Sequence, residues 1–173
     1  MTPNSKPQVI LDTSPLITLC SFVAQGELII DSVLSFVDIL VVDTVAQECT
    51  ANQNYADART IQKLIDKNQI ITLRVPQTGI DILIDNYTKL GHGERDTLRL
   101  AITLPDLQIV LDDFLAYIVA SRFDTNPILL LDLLVQWVES GYLESGFAHE
   151  MVNTIAPRYS PPFIEHTRQK LRG

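Results

Sequence analysis

Five short apolar runs alternate with longer stretches of helical periodicity, and this alternation constrains the fold more than any other feature of the chain. The runs sit in QVILDT (8–13), DILVV (38–42), IITLRV (70–75), LQIVL (107–111) and PILLL (127–131). They are strand-length and mostly apolar at consecutive positions, without the alternation that marks a half-exposed strand. Strands of that kind are buried on both faces, and a helix between two of them makes them pair in parallel. The intervening segments supply the helices. Thr13, Ser14 and Pro15 read as a helix start, with hydroxyl caps and a proline in the first turn. A second helix is expected over about 28–36, and a third runs from Asp43 or Thr44 through Cys49. ADARTIQKLIDKN (56–68) places Ile61, Leu64 and Ile65 on one helical face. IDILIDNYTKL (80–90) is expected to be a helix closed by Gly91. Further helices span 93–104, ended by Pro105, and 114–123. After the last strand, LLVQWVESGYLES and FAHEMVNTIA predict two more. The expectation is an α/β fold, a three-layer α/β/α sandwich with a central, mostly parallel sheet.

At 173 residues the chain has the length of one domain with a proper core. We place that domain at 8–156, after a disordered leader at 1–7 and before a C-terminal helix or tail at 157–173. Cys20 and Cys49 offer neither a disulfide framework nor metal-ligand spacing, and Cys20, closing PLITLC, reads as a buried thiol. No stretch reaches the roughly 18 apolar residues of a membrane span. The best, PILLLDLLVQWV, is short and carries Asp132. The expectation is a cytoplasmic protein with no membrane contact. Residues 28–36 and 131–140 are apolar enough for either core or dimer interface. The net charge of −8 opposes bulk attraction to nucleic acid, whose phosphates are met by Lys and Arg. Affinity for such a partner has to come from a local patch, another protein or a bound divalent ion that reverses the local sign.

The acids carry the chemistry. Asp12 ends the first strand, where Thr13 and Ser14 already supply capping hydroxyls, so its carboxylate is spare for the crevice above the sheet. Asp112 and Asp113 end another strand. One caps the next helix; the other has no such task, and adjacent carboxylates repel unless a cation or hydrogen bonds compensate. By register Asp113 is the preferred ligand and Asp112 the supporting one. Glu94 sits in a first helical turn, where the helix dipole alone would favour it. Glu48 rides a short helix, where a solvated side chain is the default. Strand ends and helix starts of one α/β sheet converge on its carboxyl edge, and all-oxygen ligands suit Mg²⁺. The pattern points to a metal-dependent phosphodiesterase, foremost a ribonuclease.

Taken together, LDTSPLI, VAQE, GHGERDTLRLA and LDDFLAYIVA resemble, in order and spacing, the PIN-domain nucleases. The likeness is greatest to the prokaryotic toxin-like branch with a Gly-x-Gly-Glu helix start and a paired Asp. It covers about residues 8–143, and LLVQWVESGYLES resembles that branch's helix after the last strand. The resemblance implies a Rossmann-like fold, a Mg²⁺ or Mn²⁺ site and hydrolysis of single-stranded RNA. Many members are toxins of toxin–antitoxin pairs, often homodimers neutralised by a small antitoxin protein. The family's first acid falls on Asp12, its second on Glu48, its third on Glu94 (Glu where Asp is commoner) and its last on Asp112–Asp113. Ser14 matches a hydroxyl that orients the site. The implied catalytic set is Asp12, Glu48, Glu94 and Asp113, with metal held by Asp12, Glu94, Asp113 and the supporting Asp112. Relatives commonly carry Arg after the paired Asp; here FLAYIVASRF has its first basic residue at Arg122. Arg95 and Arg99 remain as candidates for RNA phosphate contacts, against a plain role as solvated helix charges.

Four other readings compete. A silent PIN-like module would keep the fold and act by binding a protein partner. A phosphoacceptor receiver would want its Asp pair near the chain start. A haloacid-dehalogenase-type phosphatase would want Asp-x-Asp after the first strand, where this chain has Asp12-Thr13-Ser14, and a dinucleotide-binding domain would want a glycine-rich turn there.

Overall fold

A computed structural model describes residues 6–76, 79 and 81–172. Of the expected leader, residues 1–5 lie outside the described residues, as does the first position of the 80–90 segment. The sheet has five strands, β1 (Gln8–Leu11), β4 (Asp38–Val42), β5 (Ile70–Leu73), β6 (Gln108–Val110) and β7 (Asn126–Ile128), in the order β5-β4-β1-β6-β7. Every pairing is parallel, with Val9 opposite both Ile39 and Gln108. Ile10, Leu11, Ile39, Val41, Ile109 and Val110 have no exposed surface. Neighbouring positions point to opposite faces, so both faces are covered, as the continuous apolar runs require. Pro127 lies in β7, an edge strand, where a missing ladder donor is tolerated.

The chain runs from β1 outward to β4 and β5, then crosses back to β6 and β7 on the other side of β1. The order therefore reverses beside β1, and that switch point opens a crevice at the carboxyl ends of β1 and β6. Helix α1 (Thr13–Ser21) leaves β1 directly, and α3 (Asp43–Thr50) leaves β4. Helices α2 (Ile29–Leu34), α4 (Ala56–Asp66) and α6 (His92–Thr103) pack among these, while α8 (Leu130–Glu139), α9 (Ser145–Ile155) and α10 (Pro161–Arg172) pack on one another. This is the expected α/β architecture. Among the described residues no helix is long and apolar enough to cross a membrane.

Several boundaries differ from the expectation for local reasons. The expected strand 127–131 ends at Ile128, and Leu130 and Leu131 open α8. Periodicity cannot separate a five-residue apolar run from a helix start; here Leu130, Leu133, Leu134 and Trp137 repeat at helical spacing and are all buried. The expected helix 80–90 is only α5 (Asp81–Asp85), followed by turns through Tyr87 and Leu90. Gly91 does not close that helix. It is the N-cap of α6, in an extended conformation. A small hairpin, β2 (Val23–Ala24) with β3 (Glu27–Leu28), has no counterpart in the sequence reading. Gln25 and Gly26 both take positive φ, 51° and 86°, as a tight primed turn demands.

The C-terminal segment is an ordered helix. Helix α10 buries Ile164, Thr167 and Leu171 against α8 and α9. Ile164→Ala should therefore lower the unfolding free energy by about 2–4 kcal/mol in urea titrations, the usual cost of truncating a buried aliphatic side chain. A change under about 0.5 kcal/mol, typical of a surface site, would mean that α10 does not contribute to the core.

Candidate active site

The crevice is built around Asp12. Strand β1 ends at Leu11, and the Asp12 N–H extends the pairing with β6 by donating to the Val110 carbonyl at 3.2 Å. Asp12 occupies the N-cap position of α1, yet its side chain makes no capping bond. It is 3 % exposed, and its Oδ1 has no hydrogen-bond partner. Burial pushes the carboxyl up from 3.8 to about 7, with the nearby charges of Glu94, Glu48 and Asp112 adding to the effect and a hydrogen bond from the Thr13 backbone opposing it.

The other acids around it are each held by a local donor. Glu48, on α3, accepts from Thr13 Oγ1 at 2.9 Å and from the Gly93 N–H at 3.0 Å, tying α3 to the starts of α1 and α6. The glycine at 93 leaves room for that approach: a Cβ there would stand 2.6 Å from Glu48 Oε2, so the carboxylate would have to shift. Glu94, in the first turn of α6, reaches back to the Gly91 N–H at 2.8 Å. Burial raises its pKa, opposed by that hydrogen bond and assisted by the charges of Asp113 and Glu48. Asp113 caps α7 (Phe114–Ala120) by accepting from the Ala116 N–H at 2.8 Å.

The paired aspartates diverge. Asp113 lines the crevice, whereas Asp112 accepts from the Leu130 N–H at 3.1 Å and the Tyr159 hydroxyl at 2.5 Å. Asp112 thus anchors the start of α8 and the segment before α10. Burial also raises its pKa, against the pull of these two bonds.

Asp12, Glu48, Glu94 and Asp113 share one cavity of about 380 Å³ with Thr13, Ser14 and Arg158. Arg158 belongs to a 3₁₀ turn (Ala156–Arg158) before α10, and its Nη2 donates to Ser14 Oγ at 3.3 Å. Neither Arg95 nor Arg99, the cations expected from the sequence, lines this cavity. Arg99 is clamped between Asp96 and Asp85, and Arg95 Nη2 sits 3.2 Å from His92 Nδ1. Arg158 has no sequence signature: a lone Arg after a proline, it meets Ser14 across 144 positions.

The donor set is all oxygen, the chemistry that hard divalent ions take. A buried carboxylate oxygen without a partner is the atom such an ion would satisfy, and Asp12 Oδ1 is that atom. As placed, however, no three acidic, His or Cys side chains among the described residues stand together closely enough to hold an ion. Glu48, Glu94 and Asp113 are each turned to a backbone or hydroxyl donor instead.

A family model described as a PIN domain, DUF3368, matches residues 8–172. The chain belongs to the PIN-domain family. The match extends through α10 and so includes Arg158. Among solved structures, the chain is similar to a domain of a functionally unknown protein from Methanocaldococcus jannaschii, with 19 % identity and a TM-score of 0.45 over 72 % of this chain and 91 % of that one. No match is found among curated proteins. In this PIN domain the four motifs LDTS, VAQE, GHGE and LDD meet at the crevice beside β1 and β6. They contribute Asp12, Glu48, Glu94 and Asp113 to the cavity, and Asp112 lies behind its wall.

The raised Asp12 pKa sets the pH dependence of stability. With a folded value of about 7 against 3.8, Asp12 holds its proton more tightly folded than unfolded. Its contribution is fully present below pH 4 and is lost as pH rises toward 7. In chelator, Asp12→Asn should gain on wild type across that window, by up to roughly 4 kcal/mol at pH 7.5. Urea titrations at pH 4.5 and 7.5 read the difference, and parallel behaviour of the two proteins would show that Asp12 is solvated. Gly93→Ala should break the Glu48 link to α6, seen as a loss of protection of the residue-93 amide in hydrogen exchange.

Proposed function

We propose that this PIN domain is a metal-dependent endoribonuclease that hydrolyses phosphodiester bonds of single-stranded RNA. The observation that carries the proposal is the buried, unpartnered Asp12 carboxylate in a cavity with Glu48, Glu94 and Asp113. A fold stabilised only by its own contacts gains nothing from such a group. Membership of a family whose members are generally nucleases supports the reading.

Asp12, Glu94 and Asp113 would hold one or two Mg²⁺ or Mn²⁺ ions, with Asp112 fixing the β6 end of the site from behind. The bound ion supplies Lewis acidity at the scissile phosphate and makes water a better nucleophile. Glu48, whose two oxygens accept from Thr13 Oγ1 and the Gly93 N–H, would orient the attacking water or one of the ligands. Arg158 would meet a non-bridging phosphate oxygen, with Ser14 holding its guanidinium in place. The sequence resemblance extends the proposal to a toxin role, with a homodimer neutralised by a small antitoxin, and that resemblance is its only support.

A ligand that binds only the folded chain raises its melting temperature. Millimolar Mn²⁺ or Mg²⁺ should therefore raise the wild-type melting temperature and leave an Asp12→Asn, Asp113→Asn double variant unmoved. RNA cleavage should be lost in Asp12→Asn. No shift in wild type would turn the assignment to a silent module acting through a protein partner. Arg158→Ala should lower kcat/KM at least tenfold, with Arg158→Lys recovering part of it, as expected for a phosphate contact of about 1.5–3 kcal/mol. Unchanged kinetics in Arg158→Ala would remove that residue from the mechanism.

A further inference from the structure

A second cavity, of about 430 Å³, borders the acidic one and has the opposite character. Phe114, Tyr117, Tyr159 and Phe163 line it together with Leu129 and Leu131. The two cavities share a wall. Asp113 and Arg158 face the acidic side, and their chain neighbours Asp112 and Tyr159 face the apolar side. One residue step, about 3.8 Å between Cα atoms, separates each pair. The Tyr159 hydroxyl bonded to Asp112 holds the wall together.

The aromatic cavity is not core left incomplete. Phe114 is 78 % exposed and Phe163 55 % exposed, so both rings stand in water at its rim. Charge decides what they could serve. The chain carries a net charge of −8, and among the described residues lining the acidic cavity Arg158 alone is basic. A single strand held without a basic groove draws on base stacking beside whatever holds its phosphate, and aromatic rings next to the phosphate site are a device for it. We propose that this cavity is a nucleobase subsite, taking the base of a nucleotide that flanks the phosphate seated in the acidic cavity. The identity of the ligand rests on the ribonuclease reading above. Asp112 already accepts from Leu130 N–H and Tyr159 O–H. With that carboxylate engaged, the lining offers a base mainly ring faces and aliphatic side chains, which suits stacking that tolerates any base.

The test compares fluorescently labelled single-stranded RNA with an abasic oligomer of the same length, by anisotropy, on the wild-type chain with Ca²⁺ in place of Mg²⁺, so that the acidic cavity can be filled by a hard divalent ion while cleavage is suppressed. The base-bearing strand should bind roughly tenfold tighter or more, the usual scale for aromatic stacking. Adding Phe114→Ala and Phe163→Ala, both at exposed positions, should abolish that preference and leave abasic binding unchanged. Equal binding of the two strands, or a preference that survives the double substitution, would overturn the subsite; RNA cleavage by wild type would then show the ribonuclease reading intact. A base preference without wild-type cleavage would support the subsite and sink the nuclease. A dimer of the full chain that the two substitutions dissociate would identify the cavity as a contact between copies and overturn the proposal.

Discussion

The rest of this molecule is arranged around a carboxylate buried at the floor of the acidic cavity. Asp12 follows the central strand of the sheet, and β1 is hydrogen-bonded on both sides, to β4 and to β6. Both faces of that strand are buried, so the residue that ends it cannot swing outward without unpairing the core. Its charged form is costly there. The same rigidity that makes the position expensive makes it useful, because a functional group on a central strand is held more exactingly than one on a loop.

The other acids of the crevice differ from Asp12 in kind. Glu48, Glu94 and Asp113 each do structural work through a named donor: Glu48 links three helices, Glu94 closes the start of α6, and Asp113 caps α7. Truncating any of them removes a hydrogen bond as well as a charge, so a loss of activity there would mix two effects. At Asp12 the two effects have opposite signs. Removing the charge relieves burial and repulsion while removing, among the described acids of the cavity, the one with a buried oxygen that has no partner. This opposition makes Asp12 the informative position in the cavity.

The sheet was legible because its signals are local. DILVV is a strand over the very residues expected, but the hydroxyls at 13 and 14, expected to cap α1, instead donate to Glu48 and accept from Arg158, while the Asp12 carboxylate at the N-cap position makes no capping bond. Where the decisive partner lies far away in sequence, the reading lost resolution. PILLL reads as a strand by its apolar run, yet its last two residues open α8, whose start Asp112 holds through the Leu130 N–H. Gly91 looked like a helix stop because glycine often is one; the bond from its N–H to Glu94 makes it a start. The division of labour between Asp112 and Asp113 depends on Tyr159, 47 residues away, and the cation of the cavity arrives from position 158. Both belong to a segment whose polar composition gave no sign that it returns to the site.

That returning segment also bears on the charge of the chain. A cavity with four carboxylates and one guanidinium repels a phosphodiester in its bare state. On the proposed reading a divalent ion reverses the local sign, so affinity for RNA is conditional on metal rather than supplied by a basic surface. Few phosphate contacts then mean few counterions released, and a shallow dependence of binding on salt. On the same reading a flexible single strand would bring one phosphate to the cavity and a neighbouring base to the aromatic wall beside it, while the net charge of −8 offers other polyanions little bulk attraction.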